Sequence, residues 1–430
     1  MSQVVLDFLA TLESDRLAVP SVKSIDELVE FYDNDSCMED KEWFVDGLIG
    51  LSYFCFNEPW ETTDQKDRLN ALLDQYLVKD HHLIDSFISA LKPLLIKSVG
   101  INSTALASSG RRKIESSRIG LRPRIGFEES FAESKWREWR DNGGLRSIGL
   151  FYIILRNLKK RDISTNLPWI SPGILNMLDD TTRGSENVRI YGIVLLGKLL
   201  QALLNDKDTY KFSFNETGLQ KIYEPILTNI LYQLPPSFSP EETICTWKVA
   251  YPVLQKLFQV EASGNIETFK TKLGRVFSET ILQLTIPRIG LDHPDLSLWI
   301  LEYCREIVLL LGKDMTLYLQ RIIYVLGEIY LRNSFITLHM SVLHQCLDLL
   351  IVVCQQSIPE SVTNHRYDIL ACTILCYEKC YNEGTLSSDI SRKCRSLLGI
   401  LNALGCSFKD ELAPLTKRKP LIDLFVQISV

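Results

Sequence analysis

Apolar residues recur at spacings of three and four along almost the whole chain, and this constrains the fold more than any other feature. In an α-helix such residues share one face, whereas a half-buried strand would alternate every second residue. From Val188 the stripe runs Val188, Tyr191, Leu195, Leu196 and Leu199; from Val342 it runs Val342, Cys346, Leu349, Leu350 and Val353. Alternation by two over five or more residues is scarce, and no Asn-Gly or Asp-Gly pair lies between two strand-like runs. Glycine and proline stand where helices should begin or stop: Pro20, Pro59, Pro235-Pro236, Gly264, Pro287, Gly290, Pro294, Pro359 and Gly384. Cut at those marks, the chain is predicted to form helices of about 10 to 18 residues joined by short turns. The fold class is all-α.

The way the helices pair narrows the architecture. Ile174 to Asp180 reads as the end of one helix, Thr181 to Asn187 as a polar turn, and Val188-Arg189 as the start of the next. An Asp at the turn followed by Val-Arg resembles the HEAT repeat, a helical hairpin of roughly 40 residues. Leu291-Asp292-His293-Pro294-Asp295, ahead of a helix from Leu296, repeats the device. Further pairs are Ile222–Leu234 with Glu241–Val260, and Leu317–Leu331 with Thr337–Gln356. A lone hairpin cannot bury both of its apolar faces, so neighbours must stack. The predicted product is a HEAT-like helical-repeat solenoid, an α-α superhelix of the armadillo type; a compact helical bundle is the alternative. Residues 1–99 read as an N-terminal helical region, 100–125 as a basic polar loop, and 126–430 as the HEAT-like helical-repeat region.

Composition limits the function classes. Of 430 residues 46% are hydrophobic, enough for a large core, so wholesale disorder is excluded. The net charge of −6 argues against phosphate backbones as the main partner, so no direct nucleic-acid contact is expected. Eleven scattered cysteines suit a reducing compartment. The start, Met1-Ser2-Gln3, has no basic leader segment, and Asp7 interrupts the first apolar run. No stretch approaches the roughly 18 charge-free apolar residues of a membrane span, so no membrane partner is expected.

One region breaks the helical rhythm. From Gly100 to Arg124 the chain is rich in small polar residues, among them Ser103, Thr104, Ser108, Ser109, Gly110, Ser116 and Ser117. Arg111, Arg112, Lys113, Arg118, Arg122 and Arg124 stand there against one acid, Glu115. The aromatics Phe127, Phe131, Trp136 and Trp139 follow. Such a stretch reads either as a solvated linker leading into an aromatic helix packed in the scaffold, or as a partner-docking segment. In the second reading Arg111, Arg112, Lys113, Arg122 and Arg124 steer, while Phe127, Trp136 and Trp139 anchor. The basic stretch holds no aromatic, which counts against single-stranded nucleic acid. An acidic run lies between Asp26 and Asp46, with Glu27, Glu30, Asp33, Asp35, Glu39, Asp40 and Glu42 against Lys41. It is either a solvated helix face or a surface for something basic, the chain's own loop included.

Chemistry-bearing patterns are sparse. Cys372, Cys376 and Cys380 line one helix face with Cys394 downstream, but steps of one turn, about 6 Å, are too wide for one tetrahedral zinc. They read as small core residues. His339 and His344 are five apart and off a common face, and His81-His82 point apart. No phosphate-cradling loop, dinucleotide fingerprint or Gly-x-Ser-x-Gly elbow occurs. Neither a catalytic residue nor a cofactor or metal site is assigned. A nuclear-transport or vesicle-trafficking adaptor would share the fold; a prenyl-transferring helical enzyme would need Asp-rich metal motifs that are missing.

A family resemblance is carried by Ile174–Asp180, then Val188-Arg189, Ile222-Tyr223-Glu224-Pro225-Ile226-Leu227, Leu234-Pro235, Ser239-Pro240-Glu241-Glu242 and Ala250-Tyr251-Pro252-Val253-Leu254. In that order and spacing they resemble the Tti2 family; Arg122-Pro123-Arg124-Ile125-Gly126-Phe127 with Trp136 is similar to a second family stretch. The resemblance spans roughly Arg122 to Val260. It implies a HEAT-like, non-catalytic subunit of the TTT (Tel–Tti–Tti) co-chaperone, bound to the large Tti HEAT-repeat subunit and the Tel subunit. It further implies phosphatidylinositol-kinase-related kinases as clients, the Hsp90 machinery as an indirect partner, and residence in cytoplasm and nucleus.

Overall fold

The structure is a computed structural model that describes residues 3–34, 42–56, 63–80, 82–95, 106–113, 127–180, 188–205, 210, 212–408, 411, 414–415 and 417–425. The chain forms two compact units, Met1–Leu231 with Cys245–Ser263, and Tyr232–Ile244 with Gly264–Val430.

The first unit contains α1 (Gln3–Ser14), α2 (Val22–Asn34), α3 (Glu42–Ser52), α4 (Asp64–Lys79), α5 (His82–Leu91), α6 (Phe127–Asp141), α7 (Arg146–Asn157), α8 (Lys160–Leu178), α9 (Val188–Leu203) and α10 (Gln220–Leu231). All but the start of α11 (Pro240–Ala262) belongs to it as well. Here α1 packs on α3, α3 on α5, α5 on α7 and α7 on α9, while α2 packs on α4. Stacking each helix on the one two places along is what a row of helical hairpins produces, because each hairpin covers the face its neighbour leaves open. Tyr32, Phe44, Phe87, Phe151, Tyr223, Trp247 and Phe258 are fully buried along this row.

The second unit holds α12 (Ile266–Arg275), α13 (Ile286–Ile289), α14 (Pro294–Leu311), α15 (Leu319–Val325), α16 (Met340–Gln356), α17 (Pro359–Asn364), α18 (Arg366–Asn382), α19 (Ser388–Ala403) and α20 (Ile422–Phe425). Again α12 packs on α14, α14 on α16, and α16 on α19. The fold is all-α and helical-repeat in type. Among the described residues β-type pairing is limited to one bridge, Leu106 with Arg112, and no helix is long and apolar enough to cross a membrane.

Local chemistry explains several helix ends. Ser239 and Glu242 cap α11 reciprocally: Ser239 Oγ accepts from the Glu242 amide at 3.2 Å, and Glu242 Oε2 accepts from the Ser239 amide at 2.9 Å. Pro294 and Pro359 open α14 and α17, where a missing N–H costs nothing. At the HEAT-like turn the buried Asp180 carboxylate accepts from Arg140 at 3.0 Å, and its carbonyl accepts from Arg189 at 2.6 Å. Charge and backbone partners thus replace water at the end of α8.

Pro287 does not mark a helix end. From α12 the chain continues through a π-helical segment, Val276–Thr285, into α13 without leaving helical backbone angles. A proline inside an α-helix clashes with the carbonyl four residues back and lacks the donor for it. The wider π turn ahead of Pro287 accommodates both problems. A second π segment, Leu326–Leu331, extends α15.

Candidate partner-binding site

The described part of the basic segment is a tight turn pinned to the first unit. The Ala107 amide donates to the Arg111 carbonyl at 2.8 Å, and the Gly110 amide donates to the Ala107 carbonyl at 2.9 Å. Leu106 is buried, and the Arg112 amide donates to the Thr217 carbonyl at 2.8 Å. Gly110 sits at φ +73°, and a Cβ there would run into the backbone at Leu167 of α8. Only glycine fits both demands. The side chains of Arg111, Arg112 and Lys113 remain exposed, so three cations stand together on an anchored backbone. Arg122 and Arg124 lie outside the described residues, as does the side chain of Phe127, whose backbone opens α6.

The two tryptophans belong to the scaffold's own packing. Trp136 is 3% exposed and meets Trp139 edge-on, with ring centroids 5.3 Å apart. Trp139 is half-buried, and its indole N–H donates to the Leu94 carbonyl at 2.8 Å. The structure therefore brings the exposed Arg111–Lys113 triplet to the surface and turns Trp136 inward.

Of the acidic run, Asp26 accepts from Gln65 and lies 4.0 Å from Arg68, while Glu27 pairs with Lys23; residues 35–41 lie outside the described residues. Cys372, Cys376 and Cys380 line the inner face of α18, and Cys376 meets Cys394 of α19, all buried. Burial raises the Cys372 thiol; its hydrogen-bonded neighbour Cys376, then burial, raise Cys380. Thiols held neutral by burial are poor metal ligands. Among the described residues no group of three or more His, Cys, Asp or Glu is placed to hold a metal. His344 instead contacts Asp389 at 3.1 Å and Lys393 at 3.2 Å.

Periodicity did not reveal a groove of the second unit that lies along α15, the start of the π segment that follows it, and α18. It encloses about 500 Å³ and is lined by Arg321, Tyr324, Gly327, Glu328, Arg332 and Asp368. Arg321 donates to Ser278 Oγ at 2.9 Å and to Gln283 Oε1 at 3.3 Å, fastening α15 to the π segment before Pro287. A neighbouring hollow shares Glu328 and is lined by Phe335 and Leu338. Of the residues lining these hollows, Tyr324 is 66% exposed, Phe335 64% and Leu338 74%. Large side chains held in the open by a rigid helical frame are the usual anchors of protein interfaces. Arg321, Tyr324 and Glu328 are exposed and share one helical face at spacings of three and four, opposite the buried Leu319, Ile322, Ile323 and Leu326. The available sequence signal was Tyr324 standing off the apolar stripe Leu319, Ile322, Ile323, Leu326 and Tyr330.

Helices stacked two places along, with open grooves and anchored exposed side chains, define a helical-repeat protein with surfaces suited to protein partners. The chain belongs to the Tti2 family, whose family model matches residues 48–338. It is 36% identical over 391 residues to TEL2-interacting protein 2 of Saccharomyces cerevisiae, an alignment covering 90% of each chain. The name of that relative records an interaction with TEL2. No solved structure matches the chain.

Proposed function

We propose that this protein is a non-catalytic scaffold subunit of a TTT-type co-chaperone complex. In this role it holds a Tel-type subunit and the large Tti-type HEAT-repeat subunit. The observation that carries the reading is the 36% identity, spread over 90% of both chains, to a protein named for its interaction with TEL2. An alignment over nearly the full length takes in the whole succession of helices, not only one motif. The helical-repeat fold supports the reading, because stacked hairpins offer long surfaces to other helical proteins. Through that assembly the protein supports folding, stability and assembly of phosphatidylinositol-kinase-related kinases with the Hsp90 machinery, in cytoplasm and nucleus. Its own contacts are with protein, not with nucleic acid or membrane.

The deciding experiment is co-expression of the tagged full chain with the Tel-type and large Tti-type subunits, followed by size-exclusion chromatography and a melt of each species. A stable co-eluting complex, with a higher melting temperature than the isolated chain, is the expected result. Separate elution of all three would overturn the subunit reading. Depleting the protein in cells is expected to lower the steady-state level of the kinases while their transcripts stay constant.

A further inference from the structure

The row formed by α1, α3 and α5 has an unbalanced surface. These three helices contain Asp7, Glu13, Glu42, Asp46 and Asp85 and not one Lys or Arg, although Lys and Arg make up 47 of the 430 residues. Between α3 and α5 lies a groove of about 700 Å³. Its walls carry Glu42 and Asp46 from α3, Asp80 at the end of α4 and Asp85 in the first turn of α5; its floor carries Ile49 and Leu83. All four carboxylates are exposed, and Ile49 is buried. Glu42 and Asp46 are one turn apart, so both face the groove. The Asp46 carboxyl is held above its ordinary range by partial burial, then by the charges of Glu42 and Glu13. Among the described residues no Lys or Arg lines the groove, and Arg146 of α7 is committed to the carbonyls of Leu12 and Asp15.

We propose that this groove docks a partner helix carrying Lys or Arg one turn apart, with small apolar residues between them. The carboxylates on the two walls match cations at that spacing, and the apolar floor takes the residues between them. Such a helix relieves the like-charge crowding around Asp46. The inference goes beyond the assembly proposed above and does not depend on which complex the protein joins.

The test uses the full chain and a labelled synthetic helix with Arg at positions i and i+4 and Ala and Leu between, followed by fluorescence anisotropy. Binding is expected to weaken about tenfold in an Asp46→Asn, Asp85→Asn variant, and to weaken as salt rises toward physiological strength. A permuted peptide of the same composition, with its charges spread around the helix, is expected to bind about tenfold less well. Glu-bearing peptide should bind an Asp46→Lys, Asp85→Lys variant that the Arg peptide no longer binds. Equal binding by wild type and the Asn variant, or by ordered and permuted peptides, would overturn the proposal. So would displacement of the peptide by millimolar calcium, which would make the groove a cation site.

Discussion

At the scale of single residues, backbone and side chain carry separate duties within one short segment. Gly110 and the Arg112 amide fix the turn on the scaffold, while the side chains of Arg111, Arg112 and Lys113 face solvent. Gly110→Ala is therefore expected to cost about 1–3 kcal/mol in a thermal or urea melt, because it adds both a strained φ and a backbone clash. Reversing Arg111, Arg112 and Lys113 to Glu is expected to leave the melt unchanged and to slow partner association, an effect that shrinks as salt rises. Unchanged association kinetics would reduce the triplet to plain surface. The thiols make a second residue-scale case. Burial pushes Cys354 up to about 12, and Cys304 and Cys346 are raised by burial as well. A group with a raised folded pKa contributes its full stability below the unfolded value, about 8.5 for a thiol. That contribution is lost as pH climbs through the folded value. Denaturation midpoints are expected to fall between about pH 9 and the Cys354 value of about 12. Among the described cysteines, half-buried Cys245 should alkylate first at neutral pH, the buried ones only on unfolding.

At the scale of elements, most helices follow from the spacing of apolar residues and from their ends. Stripes at Val188 and Val342 became α9 and α16, and Pro294 and Pro359 open α14 and α17. The paired runs near 222–260 and 317–356 became α10 with α11, and α15 with α16. The exception is the stretch from α12 to α13, where a proline taken as a stop lies within one continuous helical run. Whether a proline ends a helix or is absorbed by a π turn depends on what packs against that turn. In this unit the other side is α15, fastened by Arg321. Tyr324→Ala is expected to leave the melting temperature of the isolated chain unchanged and to weaken binding to the co-expressed partner by about 2 kcal/mol. Trp136→Ala is expected to cost about 3–5 kcal/mol of stability whether or not a partner is present. Equal partner affinity for Tyr324→Ala and wild type would remove the groove at Tyr324 from the interface.

At the scale of the whole molecule, the chain crosses between its units more than once, so the limits of a stable fragment are not those of a simple cut. Cys245–Ser263 belongs with the first unit, where Trp247 is fully buried and its indole N–H donates to the Leu231 carbonyl at 3.2 Å. A fragment of residues 1–231 lacks Trp247, Tyr251, Leu257 and Phe258, all buried. Extending it to residue 263 restores them. The longer fragment is expected to melt cooperatively by circular dichroism, and the shorter one to aggregate or melt without a sharp transition. Cooperative melting of both would mean that α11 contributes little to the first unit.

Helix class, the hairpin rhythm and the family were all legible in the sequence, because each rests on short-range information. A stripe at three and four records which face of a helix is buried, capping residues such as Ser239 and Glu242 act within one turn, and the family stretches from Ile174 to Leu254 are contiguous motifs. The candidate site was legible only in part, as the exposure of Arg111, Arg112 and Lys113 and the helical context of Trp136 and Trp139. What the tertiary structure alone decided is which surfaces remain open. Trp136 is buried beside Trp139, whose indole N–H reaches the distant Leu94 carbonyl, whereas Tyr324 of α15 stays exposed on a groove it shares with Asp368 of α18. The anionic groove exists because α1, α3 and α5, separated by α2 and α4 in the chain, stack as neighbours. A surface is shared by residues distant in sequence, and only packing brings them together.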